Sequence, residues 1–187
     1  MGVEVDRSHR MDLSKARERI LGVDPGTVAT GWGVVEMVGS SLLHLDHGTI
    51  GSSSGLGQGS RLKRIYHGLQ EILARYQPQG MSLEKVFFAR NAGSTLKLGQ
   101  ARGVALLAAA EQGIAVHEYA SAEIKLAVVG YGQASKEQVQ KMVASLLHLP
   151  DPITADAADA LAAAICYLHQ RAFHARVNES TSQRATK

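Results

Sequence analysis

The sequence predicts an α/β fold: a mixed, five-stranded sheet flanked by helices. Early in the chain, three apolar runs are joined by short turn-forming connections, which makes consecutive strands antiparallel. Later, segments with a 3.6-residue apolar period alternate with two more short apolar runs. The run Ile20-Leu21-Gly22-Val23 holds no polar residue, as expected of a strand buried on both faces at the centre of a sheet.

The elements follow in order. The first strand spans 20–24 and closes on Asp24, with a turn at Pro25-Gly26-Thr27. A second strand runs near Gly31–Met37 and, after Gly39, a third near Leu42–Ile50. The stretch 51–60, GSSSGLGQGS, is a flexible Ser/Gly loop. Ser60 caps a helix whose apolar positions Leu62, Ile65, Leu69, Ile72, Leu73 and Tyr76 keep helical spacing until Pro78. A fourth strand near Ser82–Phe87 carries Glu84 near its start, although Gly80-Met81 ahead of it are less β-prone than a central strand calls for.

Ser94 caps a helix to Gln112, with Gly113 as its stop. Ala115–Tyr119 is the fifth strand, and a short helix near Ala122–Val129 ends at Gly130-Tyr131-Gly132. Ser135 and Gln138 form a capping box for a helix through Leu147. Pro150 and Pro152 bracket a turn, and the last helix begins near Thr154. The expected organisation is a flexible polar extension over 1–18, one domain over 19–174 and a disordered tail over 175–187. Met11 is an alternative start.

Composition bounds the function. At 187 residues and 45% apolar content, the chain supports one well-packed domain. The single cysteine, Cys166, lies in an apolar helical run and reads as a small buried hydrophobe in a reduced compartment. The polar start and the lack of a bilayer-length apolar run predict a cytoplasmic protein with no membrane association. The net charge of +3 is concentrated at the chain ends, which leaves 11 basic and 12 acidic residues in the body. Charge alone therefore does not define a nucleic-acid surface, but bound cations would invert the local sign around the acids.

Four of those acids stand out. Asp24 ends its apolar run, and Glu84 sits between Leu83 and Val86-Phe87-Phe88. Asp156 and Asp159 are the only polar residues of 155–165, and their spacing puts both on one helix face. Burying ionised carboxylates is costly without compensation, and Lys85 beside Glu84 is the one Lys or Arg in these runs. Hard divalent cations with oxygen ligands are the expected compensation, and metal-ion catalysis the expected chemistry.

The order of motifs resembles the RuvC family of Holliday junction resolvases. The matching segments are ILGVDPGTVATGWGV at 20–34, RLKRIYHGLQEIL at 61–73, LEKVFFARNAGSTLKLGQARGVAL at 83–106, VVGYGQASKEQVQKMV at 128–143 and ADAADALAAAI at 155–165. The resemblance implies a ribonuclease-H-like fold. It also implies that Asp24, Glu84, Asp156 and Asp159 are metal-binding catalytic residues holding two divalent ions, Mg²⁺ with Mn²⁺ able to substitute. One ion would activate water and the other stabilise the leaving 3′ oxygen of an in-line displacement. The implied function is resolution of four-way DNA junctions in recombination and repair by paired symmetric nicks with 5′-phosphate and 3′-hydroxyl ends.

The resemblance further implies a homodimer, which suits a two-fold symmetric substrate. The 94–112 helix is the candidate dimer element, since Gly99 and Gly103 permit close helix approach; packing of that face on the chain's own sheet is the alternative. Phe87 matches an aromatic that stacks on a base at the junction, with Phe88 as the alternative. Lys125 and Lys136 match basic residues near the scissile phosphate, and Arg90, Lys97, Arg102 and Lys141 are further phosphate-contact candidates. Glu123 places a negative charge close to Lys125. A branch-migration motor with its junction-binding protein is the implied partner. Competing classes are a phosphotransferase sharing the Asp24-Pro25-Gly26-Thr27 turn, a junction-binding protein without chemistry, and a ribonuclease of the same fold. The first needs a second domain that 187 residues do not provide.

Overall fold

The computed structural model describes residues 17–51, 55–85, 92–150 and 153–185, with only the backbone from 179 onward. Its elements are β1 (Arg17–Asp24), β2 (Ala29–Val38), β3 (Ser41–Gly51), α1 (Gln58–Tyr76), β4 (Gly80–Glu84), α2 (Ala92–Glu111), β5 (Ala115–Tyr119), α3 (Ser121–Val129), α4 (Lys136–Leu146) and α5 (Ala155–Ala185). The sheet order is β3-β2-β1-β4-β5, so the Asp24 strand is central as its apolar run required. β1, β2 and β3 form the antiparallel meander, while β4 and β5 add in parallel to β1.

Two apolar cores follow from the alternation along β1. Leu21 and Val23 face Ile65, Leu69, Ala101 and Ala105 of α1 and α2. Ile20, with Val35 of β2, faces the other way, toward Leu161, Ile165 and Leu168 of α5 and toward α3 and α4. Asp24 and Gly22 share the parity of Ile20 and therefore also address α5.

Glycines let α5 lie directly on the sheet. A Cβ at Gly22 would stand 1.8 Å from the Ala160 carbonyl oxygen, and one at Gly31 would stand 2.0 Å from that of Asp156. At Gly33 it would meet the Leu161 side chain at 2.4 Å. Gly22 pairs with Gly33, and Asp24 with Gly31, so one bare patch of two strands receives the first turns of α5. Ser82 of β4 fastens the same contact by donating its buried hydroxyl to the Ala163 carbonyl at 2.7 Å.

Several boundaries differ from expectation. Glu84 is the last residue of β4 rather than near its start, and residues 86–91 lie outside the described residues. Gly80-Met81 begin that strand despite their weak propensity, because both are buried beside β1. α1 starts at Gln58 with Gly57 as its N-cap, and Ser94 lies inside α2, so neither serine is a cap. The Ser135–Gln138 capping box is present. The final helix runs to Ala185 rather than giving way to a disordered tail at 175. Neither Gly nor Pro follows Pro152, and extending an already packed helix costs far less than starting one. Among the described residues, no helix is long and apolar enough to cross a membrane.

Candidate active site

β1 and β4 run parallel with Val23 opposite Leu83, so Asp24 and Glu84 emerge side by side at the carboxyl end of the sheet. The turn leaving Asp24 is pinned from β2. Thr30, fully buried, donates its hydroxyl to the Gly26 carbonyl at 2.7 Å and accepts from the Gly26 amide at 3.3 Å. The first turn of α5, pressed onto Gly31, brings Asp156 and Asp159 over the same end.

Asp24, Glu84 and Asp159 line a cleft of about 230 Å³ with Lys125 and Ile124 of α3 and Lys136 of α4. Burial pushes the Asp24 carboxyl up to about 7, and the charges of Asp159, Asp156 and Glu84 push in the same direction. Lys136 opposes them. Its ammonium meets Asp159 at 3.1 Å, an ion pair that raises the lysine's own pKa. The carboxylates of Glu84, Asp156 and Asp159 thus act on Asp24 from two other elements, and Lys136 is the ammonium that offsets them there.

The four acids picked out in the sequence are therefore brought together. Among the described residues, no three acidic, His or Cys side chains are gathered closely enough to hold one ion as they stand. The donor set itself, all carboxylate oxygen and short of positive charge, has the chemistry that hard divalent cations take.

The basic candidates fare differently. Lys125 and Lys136 line the cleft. Lys97 and Lys141 are exposed on α2 and α4. Arg102 is not free, since its guanidinium is bound to Glu118 of β5. Phe87, Phe88 and Arg90 lie outside the described residues. Glu123, beside Lys125 in sequence, instead accepts the Ala120 amide at 2.6 Å and lies 4.0 Å from Lys85. Gly99 and Gly103 face open space, so that stripe of α2 does not pack on the chain's own sheet; Ala101, Ala105, Ala108 and Ala109 do the packing instead.

Sequence reasoning missed Thr30, Ser82 and the role of Gly22, Gly31 and Gly33. The glycines carried a usable signal, because alternate glycines inside strands mark a close backbone approach.

Fold and site together define an α/β protein with a carboxylate cluster where two parallel strands end under a helix. The comparisons narrow the class. The family model for the crossover junction endodeoxyribonuclease RuvC matches residues 20–167. The chain is 52% identical over 151 residues to the crossover junction endodeoxyribonuclease RuvC of Pelobacter propionicus, covering 81% of this chain and 86% of that one. It is similar to the structure of T. thermophilus RuvC in complex with Holliday junction substrate, with a TM-score of 0.78, 34% identity, and 86% and 96% of the two chains covered. The yeast mitochondrial Holliday junction resolvase Ydc2 shares the fold, with a TM-score of 0.64 at 12% identity over 91% of this chain and 87% of that one. This chain belongs to the RuvC family of crossover junction endodeoxyribonucleases.

Proposed function

We propose that this protein resolves four-way DNA junctions by hydrolysing one phosphodiester in each of two symmetry-related strands, in recombination and repair. The observation that carries this reading is the convergence of Asp156, Asp159 and Glu84 on Asp24 in a chain of this family. Nucleases of the family depend on divalent metal ions. Two Mg²⁺ ions, replaceable by Mn²⁺, would be held by Asp24, Glu84, Asp156 and Asp159. When bound, they supply Lewis acidity that makes water nucleophilic and stabilises the leaving 3′ oxygen.

The remaining chemistry belongs to the side chains. Thr30 and the α5 contact at Gly31 fix the two ends of the acid cluster, so little reorganisation is needed as charge develops. Ile124, Val139 and Ala162 give the cleft an apolar wall that strengthens the electrostatics within it. Lys125 and Lys136 line the cleft and would contact phosphate oxygens, Lys136 giving up Asp159 to do so.

Two copies acting together match the two strands to be cut. The exposed stripe Leu96, Gly99, Gly103 and Leu107 of α2 supports such a homodimer, because it is apolar or without side chains and nothing among the described residues covers its glycines. Stacking by Phe87 or Phe88, phosphate contacts from Arg90, Lys97 and Lys141, and delivery by a branch-migration motor with its junction-binding protein complete the proposal. A cytoplasmic location agrees with action on DNA of this kind.

The decisive experiment incubates purified protein with a synthetic four-way junction and Mg²⁺ or Mn²⁺ and maps the cuts. Symmetric nicks ending in 5′-phosphate and 3′-hydroxyl are expected. Preferential cutting of structured RNA would favour a ribonuclease instead.

A further inference from the structure

A second, larger cleft of about 600 Å³ lies between β3 and α1, lined by Thr49, Ile50, Ser60, Lys63, Arg64 and His67. It opens at the same end of the sheet as the acid cluster. Asp24 is opposite Gly31, and Gly31 is opposite Thr49, so the cleft lies two strand spacings of about 4.8 Å across the sheet from Asp24. It lies on the α1 face whereas Asp24 addresses α5, so DNA reaching both would pass over the shared end of the sheet.

The charge on this wall has no internal explanation. From Gln58 to Gln70, α1 carries Arg61, Lys63, Arg64 and His67 and no acid. Arg61 is engaged locally, its Nε donating to the Leu56 carbonyl at 2.9 Å. Lys63 and Arg64 are exposed and have no acidic partner within ion-pair distance among the described residues. His67 stands one helical turn from both, so the spacing that normally pairs opposite charges here stacks basic groups. Lys63 and Arg64 are like charges side by side, with no acid earlier in the helix to offset their repulsion. A polyanion lying in the cleft would turn this repulsion into an attraction. Glu71, one turn past His67, lines the far end of the same cleft, and a neighbouring hollow that it also lines carries Asp46.

We propose that the β3–α1 cleft grips the phosphate backbone of the junction arm that leaves the acid cluster, with Lys63 and Arg64 as its phosphate ligands and His67 as a further donor. This rests on the junction-nuclease reading and extends it to DNA a few nucleotides beyond the phosphate that is cut.

The test measures junction binding by the full-length protein in a chelator, across a salt series. Lys63→Gln with Arg64→Gln should weaken binding about tenfold and make the log–log salt slope shallower by about 2, one contact each. The charge-keeping pair Lys63→Arg with Arg64→Lys should bind as wild type, and both pairs should keep the wild-type melting temperature. A junction with neutral methylphosphonates at the third to fifth positions from the cut should bind wild type as weakly as the unmodified junction binds the Gln pair. That junction should weaken the Gln pair no further. Unchanged affinity in the Gln pair, or losses that multiply with the methylphosphonates, overturns the cleft while wild-type nicking leaves the functional reading intact. A wild type that neither binds nor nicks the junction overturns both.

Discussion

Where β1 begins, Glu36 lies opposite Arg19, which holds it at 2.8 Å, with Arg17 3.8 Å away; where β1 ends, Asp24 lies opposite Gly31 and has three other acids for company. Glu36 is as buried as any acid in the sheet, its side chain 6% exposed. Arg19 also donates to the Tyr76 carbonyl, so that corner satisfies its own charge and ties β1 to β2 and α1. The Asp24 corner does the opposite. Its charges do not cancel within the protein, and the carboxyl rises to about 7 from its ordinary 3.8. A buried ion pair is a structural device, whereas a buried surplus of one sign is a demand for something the chain lacks. The same two strands supply both.

Amide substitution separates the corners most sharply. Asp24→Asn, Glu84→Gln and Asp156→Asn should each reduce junction cutting at least a hundredfold while leaving junction binding largely intact, read by nicking and binding assays side by side. Asp159→Asn should follow with a somewhat smaller loss, since its carboxylate is shared with Lys136. Full cutting by any of the first three removes that residue from the site.

At the other corner, Glu36→Ala leaves the Arg19 guanidinium partly buried and unpaired, which should cost about 3–5 kcal/mol in chemical denaturation. The double replacement Arg19→Met with Glu36→Leu should recover most of that loss. A single variant as stable as wild type would mean the pair is ornamental.

Asp24 should have the reverse sign in metal-free protein. Its folded pKa of about 7 exceeds the ordinary 3.8, so between those values the folded state holds a proton that the unfolded state has lost. Stability should therefore fall as pH rises from about 4 to about 7, by on the order of 2–4 kcal/mol, and stay low above that. Added Mg²⁺ should restore it most at pH 8, where no proton need be displaced. Asp24→Asn should flatten the profile and raise the melting temperature at pH 8 in a chelator. A melting temperature independent of pH in the wild type would be incompatible with the buried acid surplus.

The smallest effect should come from Lys136→Ala. Its side chain is 77% exposed, so loss of the Asp159 pair should change stability by less than about 1 kcal/mol. Cutting should nevertheless slow, because the phosphate contact is lost along with the pair. Equal cutting by the variant would make Lys136 a surface charge alone.

The acids were legible in the sequence because polar residues in apolar runs stand out and the runs themselves mark strand ends and helix faces. The antiparallel pairing of the first three strands was legible for a similar reason, since short connections restrict how neighbours can pair. The capping box at Ser135 was readable because its chemistry is local, with both hydrogen bonds spanning three residues. Ser60 and Ser94 misled because many serines can cap and only the packed helix decides where its first turn falls.

What the sequence by itself determined is which residues are candidates for chemistry and which segments form elements, since side-chain type and apolar period are properties of the chain. What only the tertiary structure decided is which groups meet. Arg19 with Glu36, Arg102 with Glu118, Thr30 with the Gly26 turn, and α5 seated on Gly22 and Gly31 are contacts whose existence depends on the sheet register and on the helix resting against it. Charges and hydrogen-bonding groups act over a few ångströms, and residues far apart in the chain come within that distance only when the backbone has folded.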